Sequence, residues 1–261
     1  MSRPLLALAA IVVVGLLVAS RMQDRRADPL VRGALNARSY TNQGVEYRYQ
    51  LFIPYDHDPA TRWPVVVALH GSREKGTDGI KQARTGLGPI VLEQARTFPA
   101  VVVFPQVHVT DPVSRSVEVM NGLIADAMTV VNGDPRRLYL TGLSYGGIIA
   151  YHLVRADASR FAAVVPIAAH PVVLGEDGIT RRPDAEVDAE LAHALRATPV
   201  WIFHGAHDGA IPADRARRLY AALQRARGSV RYTEYPDGGH EVWERTYRSP
   251  ELWSWLFAQR R

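Results

Sequence analysis

The sequence predicts an α/β protein, with a mostly parallel central sheet and helices on both faces. Three observations lead there. Short β-branched runs alternate with longer helical patterns from about residue 28 onward. Most of those runs are apolar throughout, as strands covered on both faces must be. A Gly-x-Ser-x-Gly stretch stands between a strand pattern and a helix pattern, and an Asp and a His follow it in order, each just past a further strand.

Val45 to Ile53 alternates and reads as an early, partly exposed strand, paired with a run around Ala34 to Tyr40. The buried strands are Pro64 to Leu69, Val101 to Phe104, Leu138 to Thr141, Ala163 to Ile167, Val200 to Phe203 and Val230 to Tyr235. Between them, Val117 to Val131 sets Val117, Met120, Ile124, Met128 and Val131 on one helical face. Ile148 to Val154 continues from the Gly-x-Ser-x-Gly turn as a buried helix. Asp214 to Gln224 opens after Pro212 and stops at Arg227–Gly228. Ser249 is placed to cap a last helix with Pro250 at its first position. The stretch from His170 to Thr198 is long for a plain crossover and holds a helical run from about Ala185 to Leu195. It is either a small cap beside the carboxyl ends of the strands, where ligands bind in such sheets, or a helical crossover.

Composition narrows the function classes. With 47% apolar and 22% charged residues in 261, the chain can bury a sizeable core. The net charge of +5 is almost all arginine, since Lys75 and Lys81 are the only lysines, and it is spread among Asp and Glu. That distribution describes a solvated surface and no nucleic-acid partner. The absence of cysteine excludes disulfides, thiolate metal sites and a cysteine nucleophile. No metal-binding or cofactor motif is present, so neither is expected. At the amino terminus Arg3 precedes an apolar stretch, Leu5 to Ala19, ending in Val18–Ala19–Ser20. This reads as an export signal over residues 1–27, either cleaved or kept as a membrane tether, ahead of a catalytic domain over 28–261. The expected location is therefore periplasmic or extracellular.

Gly142-Leu-Ser144-Tyr-Gly146 puts a serine at a strand-to-helix turn, where its hydroxyl stands clear of its neighbours. Asp208 follows the strand at Val200 and can hold a histidine tautomer; Asp214, its competitor, falls in a helix's first turn and complements the dipole there. Gly238-Gly-His240 offers a flexible loop that can carry an imidazole to Ser144. His70 and His204 each begin a His-Gly turn and read as braces of backbone. His57, His108 and His193 have no motif around them, and His152 belongs to the helix after Ser144. His170, after a strand, is a candidate to border the pocket. An oxyanion site needs two backbone N–H groups, one from Tyr145 and one from the loop His70-Gly-Ser-Arg73, where Ser72 is better placed than Arg73.

Four segments, in order, resemble the esterase branch of the α/β-hydrolases that includes polyhydroxybutyrate-depolymerase-like, feruloyl-esterase-like and phospholipase/carboxylesterase-like proteins. They are Trp63 to Ser72, Asp134 to Gly147, Pro199 to Asp208 and Tyr235 to Trp243. The resemblance covers nearly all of the chain from Val45 and implies a Ser144–Asp208–His240 triad with oxyanion amides on Tyr145 and Ser72. Trp243 resembles an aromatic that lines such sites. The sequence departs from the pattern at Arg73, where glycine is common, and at Tyr145, where methionine is common. The expected activity is hydrolysis of a small-molecule or polymer-borne ester through an acyl-enzyme. A prolyl-oligopeptidase-type peptidase and a non-catalytic binder on a hydrolase scaffold are the alternatives.

Overall fold

Apolar runs bounded by turn residues form the strands, and the helices between them cover both faces of one sheet. The computed structural model describes residues 29–173 and 182–261. All its elements lie in the unit Val31–Arg261. The strands are β1 (Ala34–Asn42), β2 (Val45–Ile53), β3 (Trp63–Leu69), β4 (Val101–Pro105), β5 (Gly133–Leu143), β6 (Ala163–Ile167), β7 (Val200–Gly205) and β8 (Val230–Tyr235). They lie in the order β1-β2-β4-β3-β5-β6-β7-β8. β1 and β2 are antiparallel to each other and β2 to β4, while β4 through β8 run parallel. Val65–Val67 and Val101–Val103 are fully buried, which is why these strands read as continuous apolar runs; edge strand β1 alternates.

The helices are α1 (Leu87–Glu93), α2 (Val113–Val130), α3 (Tyr145–Asp157), α4 (Asp184–Ala194), α5 (Ala213–Arg225), α6 (Trp243–Tyr247) and α7 (Pro250–Ala258). The sequence misses α1 and α6. It also sets the face of α2 off-centre: Val119, Met120, Leu123, Ile124 and Ala127 are buried, whereas Val117 and Met128 flank the stripe. The helix begins before Val117 and needs a stripe wide enough to cover two strands. Ser249 stands at the N-cap of α7, but its side chain makes no capping bond; Pro250 at the first position sets the entry instead.

Of the stretch 170–198, the loop at 174–181 lies outside the described residues, as does the amino-terminal segment Leu5 to Ala19 with its export reading. The described part of 170–198 is a crossover helix. α4 packs against α3 and α5 through Val187 and Leu191, so its apolar face is spent on the helical layer rather than held over a cleft. Among the described residues no helix is long and apolar enough to cross a membrane.

The parallel strands end nearly level. Leu69 of β3 pairs with Gly142, Leu143 with Ile167, Ile167 with Phe203, and Gly205 with Tyr235. The loops after β3, β5, β7 and β8 therefore emerge along one edge, the side on which such sheets bind ligands. His70 joins two of the strand ends. Its Nδ1–H donates to the Gly71 carbonyl at 2.6 Å, and its Nε2 accepts from the Val107 amide at 3.0 Å. Burial pushes this imidazole down to about 4; the bond to the Gly71 carbonyl offsets part of the loss of water, and the Lys75 ammonium adds to it.

Two outcomes follow from this packing. A Cβ on Gly146 would press into the Leu69 carbonyl and stand 2.6 Å from the His70 carbonyl oxygen, backbone that cannot move aside. Gly146→Ala should cost about 2–3 kcal/mol or more, read as a fall in Tm of about 5–10 °C; an unchanged Tm would show that the turn is looser than drawn. His70 titrates lower in the folded chain than unfolded, so its contribution is complete above the ordinary histidine value and is lost as pH falls from about 6.5 through about 4. Buried His57 and partly buried His152 are lowered for the same reason and act in the same direction. Urea unfolding at pH 7, 5.5 and 4 should show the wild type losing about 2–3 kcal/mol more than His70→Gln over that range. Equal losses in the two proteins would remove His70 as the cause.

Candidate active site

Ser144 ends β5 and precedes α3 with φ 51° and ψ −118°, a conformation that a side chain disfavours. Its backbone is held by a bond from Ser144 N–H to Ile167 O of 2.9 Å and one from Ile148 N–H to Ser144 O of 3.2 Å. Its hydroxyl therefore stands at the edge of the sheet, 2.9 Å from Nε2 of His240.

Asp208 follows β7 in a tight turn. Its Oδ1 accepts from the amides of Ala210 at 2.9 Å and Ile211 at 2.8 Å, and its side chain is 0% exposed. Its Oδ2 lies 2.8 Å from Nδ1 of His240. A carboxylate only accepts, so Nδ1 of His240 carries the proton and Nε2 presents its lone pair to the Ser144 hydroxyl. The loop that delivers His240 is seated directly on β7. Gly205 leaves no room for a Cβ against the Gly239 carbonyl, and His207 N–H donates to Gly238 O at 2.8 Å. The imidazole of His240 remains 25% exposed, open on the side of the cleft.

The cleft has a volume of about 420 Å³. Leu143, Ala210, Ile211 and Trp243 form its apolar wall, and Ser72, Arg73, Glu74 and Glu241 its polar rim, with Ser144 and His240 between them. Trp243 opens α6 and meets the His240 ring edge-on at 5.6 Å. A larger groove of about 560 Å³ between α4 and α5 is lined by alanines with Asp188, Arg218 and Arg225, and it carries no nucleophile beside a base.

Ser72 begins a 3₁₀ turn, Ser72–Glu74, and Tyr145 is the first residue of α3, so each amide opens a helical turn where its N–H has no acceptor within that turn. Because His70 draws the Gly71 carbonyl to one side, the planar peptide aims the Ser72 N–H to the other. Lys75 Nζ lies 3.7 Å above the centre of the Tyr145 ring, tying the loop after β3 to the start of α3.

The structure thus brings Ser144, Asp208, His240, Ser72 and Trp243 together, with Tyr145 next to them in sequence. His170 does not line the cleft. The chain after β6 is held on α3 by a bond from His152 Nε2 to Val172 O of 2.6 Å. Of the two braces, His204 donates from Nε2 to the Ile211 carbonyl at 2.8 Å as expected, and it also reaches Asp208, which its motif does not reveal. Thr85, Leu143 and Ile211 in the wall carry no sequence signal beyond their polarity or size. Among the described residues no group of three or more acidic or imidazole side chains is arranged to hold a metal ion.

Comparison with known proteins agrees with this architecture. A thermostable esterase of known structure superposes with a TM-score of 0.72 at 29% identity, over 87% of this chain and 63% of that one. Esterase 2 of Thermogutta terrifontis superposes with a TM-score of 0.62 at 18% identity, over 89% and 94% of the two chains. In sequence, an uncharacterized peptidase of Bacillus subtilis (strain 168), YuxL, is 26% identical over 127 residues, 42% of this chain and 19% of the relative. The chain therefore spans about a fifth of that relative and less than two-thirds of the esterase. The model of the dienelactone hydrolase family matches residues 106–250, more than half of the chain and the whole run from β5 through α6. With an eight-stranded, mostly parallel sheet of the matching kind, the chain is an α/β-hydrolase and belongs to the dienelactone hydrolase family.

Proposed function

We propose that the protein hydrolyses carboxylic esters through an acyl-enzyme, with Ser144 as nucleophile, His240 as base and Asp208 as acid. The observation that carries this reading is the unbroken relay of two hydrogen bonds, 2.9 Å from Ser144 Oγ to His240 Nε2 and 2.8 Å from His240 Nδ1 to Asp208 Oδ2, at the floor of a cleft.

As Ser144 attacks the ester carbonyl, its proton passes to His240 Nε2, and the carbonyl oxygen takes the negative charge. The amides of Ser72 and Tyr145 receive that charge at no cost in reorganisation, because His70 and the helix start already fix them. His240 then gives its proton to the departing alcohol. Water repeats the sequence on the acyl-enzyme, with His240 again as base. Asp208 stays ionised throughout and stabilises the imidazolium. The wall of Leu143, Ile211 and Trp243 suits an apolar acyl or aromatic group.

Peptide-bond cleavage is the second reading, favoured by the peptidase designation of the Bacillus subtilis relative. An amide demands more than an ester, since its amine leaves only when protonated and held in line. Of the ionic residues on the cleft rim, Arg73 and Glu241 are 86% and 68% exposed and only Glu74 is partly buried, so the rim gives a peptide little fixed charge to anchor on.

A fluorophosphonate probe should label the wild type at Ser144 and leave Ser144→Ala unlabelled, folded and inactive. Asp208→Asn should lower kcat by about ten-thousand-fold. If the new amide oxygen keeps the Ala210 and Ile211 amides, its NH₂ confronts the N–H of His240 and drives the ring to the wrong tautomer. Ester and anilide substrates sharing one acyl group should differ in kcat/KM by at least about a hundredfold in favour of the ester. A higher value for the anilide would transfer the proposal to the peptidase.

A further inference from the structure

One buried titratable group beside the relay takes no part in the reaction as drawn. His204, the next-to-last residue of β7, is 0% exposed, and its Nε2 lies 2.8 Å from the Ile211 carbonyl oxygen and 3.2 Å from Oδ2 of Asp208. Both neighbours are acceptors, so Nε2 carries a proton, which it donates to the Ile211 carbonyl with Oδ2 of Asp208 beside it at 3.2 Å. Its Nδ1 is buried with no hydrogen-bond partner among the described residues, which fits the Nε2–H tautomer.

Asp208 is thereby held from every side. Oδ1 takes the amides of Ala210 and Ile211, and Oδ2 takes the Nδ1–H of His240 with the Nε2–H of His204 3.2 Å away on its other side. Ile211 closes the ring, since its N–H binds one carboxylate oxygen while its carbonyl accepts from the histidine on the other. A carboxylate with only the two amides and His240 could swing about its Cβ–Cγ bond and move Oδ2. The second imidazole removes that freedom.

We propose that His204 is a positioning residue of the hydrolytic reaction: its Nε2–H fixes the rotamer of Asp208 and shares the oxygen that receives His240, setting the direction and strength of the His240–Asp208 bond. This rests on the triad reading above. A bare loop brace would need only the bond to the Ile211 carbonyl. The contact to Asp208 is what makes the acid, and through it the base, depend on this ring.

Two variants separate the roles. His204→Gln keeps an N–H at the reach of Nε2, and His204→Leu removes it at similar volume. His204→Leu should lower kcat by about ten- to a hundredfold with KM changed less than about twofold, because the geometry matters only as the proton moves. His204→Gln should recover most of the loss. The low-field proton resonance of His240 Nδ1–H should move further downfield in the Leu variant, as Oδ2 is no longer shared. Unchanged kcat in His204→Leu overturns the proposal, and so do equal losses in both variants with the resonance unmoved. Should the Leu variant fail to fold, Asp208→Asn decides: the ¹⁵N and proton signals of the His204 ring must report Nε2–H in the wild type and shift in that variant. Signals that stay in place overturn the contact. Fluorophosphonate labelling of Ser144 in the wild type separates the two levels. Its absence removes the hydrolase reading, while the ring signals still judge the His204–Asp208 contact.

Discussion

A serine forced into a left-handed backbone conformation is the constraint on which the rest of this structure depends. Ser144 at φ 51° costs about 1–3 kcal/mol relative to a relaxed residue, and it persists only because its surroundings over-determine it. The Ile167 carbonyl takes its amide, α3 takes its carbonyl, and the backbone of Leu69 and His70 closes on Gly146 from the opposite side. β3 and β6, the two strands flanking β5, are thus both recruited to hold one turn. Loosening any of them relaxes the turn and lets the hydroxyl drop back among its neighbours.

The proposed base and acid are held by a different kind of interaction. Apart from the edge of Trp243 against its ring, His240 takes its position from backbone packed on backbone at Gly205 and Gly239, and from Asp208. The carboxylate in turn has no access to water, so protein groups replace its hydration shell, two amides on one oxygen, and on the other the His240 N–H with the His204 ring beside it. Fixed dipoles in a dry site need no rearrangement when charge develops on the ring. His70 applies the same logic to the loop proposed as the oxyanion side. Burial keeps its ring uncharged, and an uncharged ring with one N–H and one lone pair is what the Gly71 carbonyl and Val107 amide require.

Much of this was legible in the residues because it depends on local order. The strand runs stand out since parallel strands buried on both faces cannot alternate, and the Ser, Asp and His stand out since each follows a strand ending at the same edge. What escaped the reading is set by distance in space. α1 escaped because Leu87–Glu93 is short and carries a proline, and its support comes from packing. The stripe of α2 was shifted because its width answers to the strands beneath it. His170 looked like a pocket residue by its place after a strand, yet a bond between His152 and Val172 turns that stretch onto α3. The second role of His204 needed the turn from Asp208 to Ile211 to fold back on β7, which no spacing rule encodes. The cleft wall drew on Thr85 and Leu143, residue types found everywhere.

The two departures from the resemblance, Arg73 and Tyr145, lie in the two segments proposed to form the oxyanion site and differ in how firmly they are held. Tyr145 presents a ring to the ammonium of Lys75 at 3.7 Å, a contact worth about 0.5–1 kcal/mol at a partly open site, which ties the loop after β3 to the start of α3. Lysine is rare in this arginine-rich chain, and other ring faces are met by guanidinium groups, such as Arg96 over Tyr55 and Arg245 over Tyr235. Arg73 instead points out to the rim, where its 3.6 Å pairing with Glu241 joins two residues that are mostly in water and therefore contributes little. The loop is consequently tied at its base by His70 and Lys75, and its backbone at Glu74 by the bond from Gln106 Nε2 to the Glu74 carbonyl, while at the rim the Arg73 and Glu241 side chains are joined only by a weak ion pair in water.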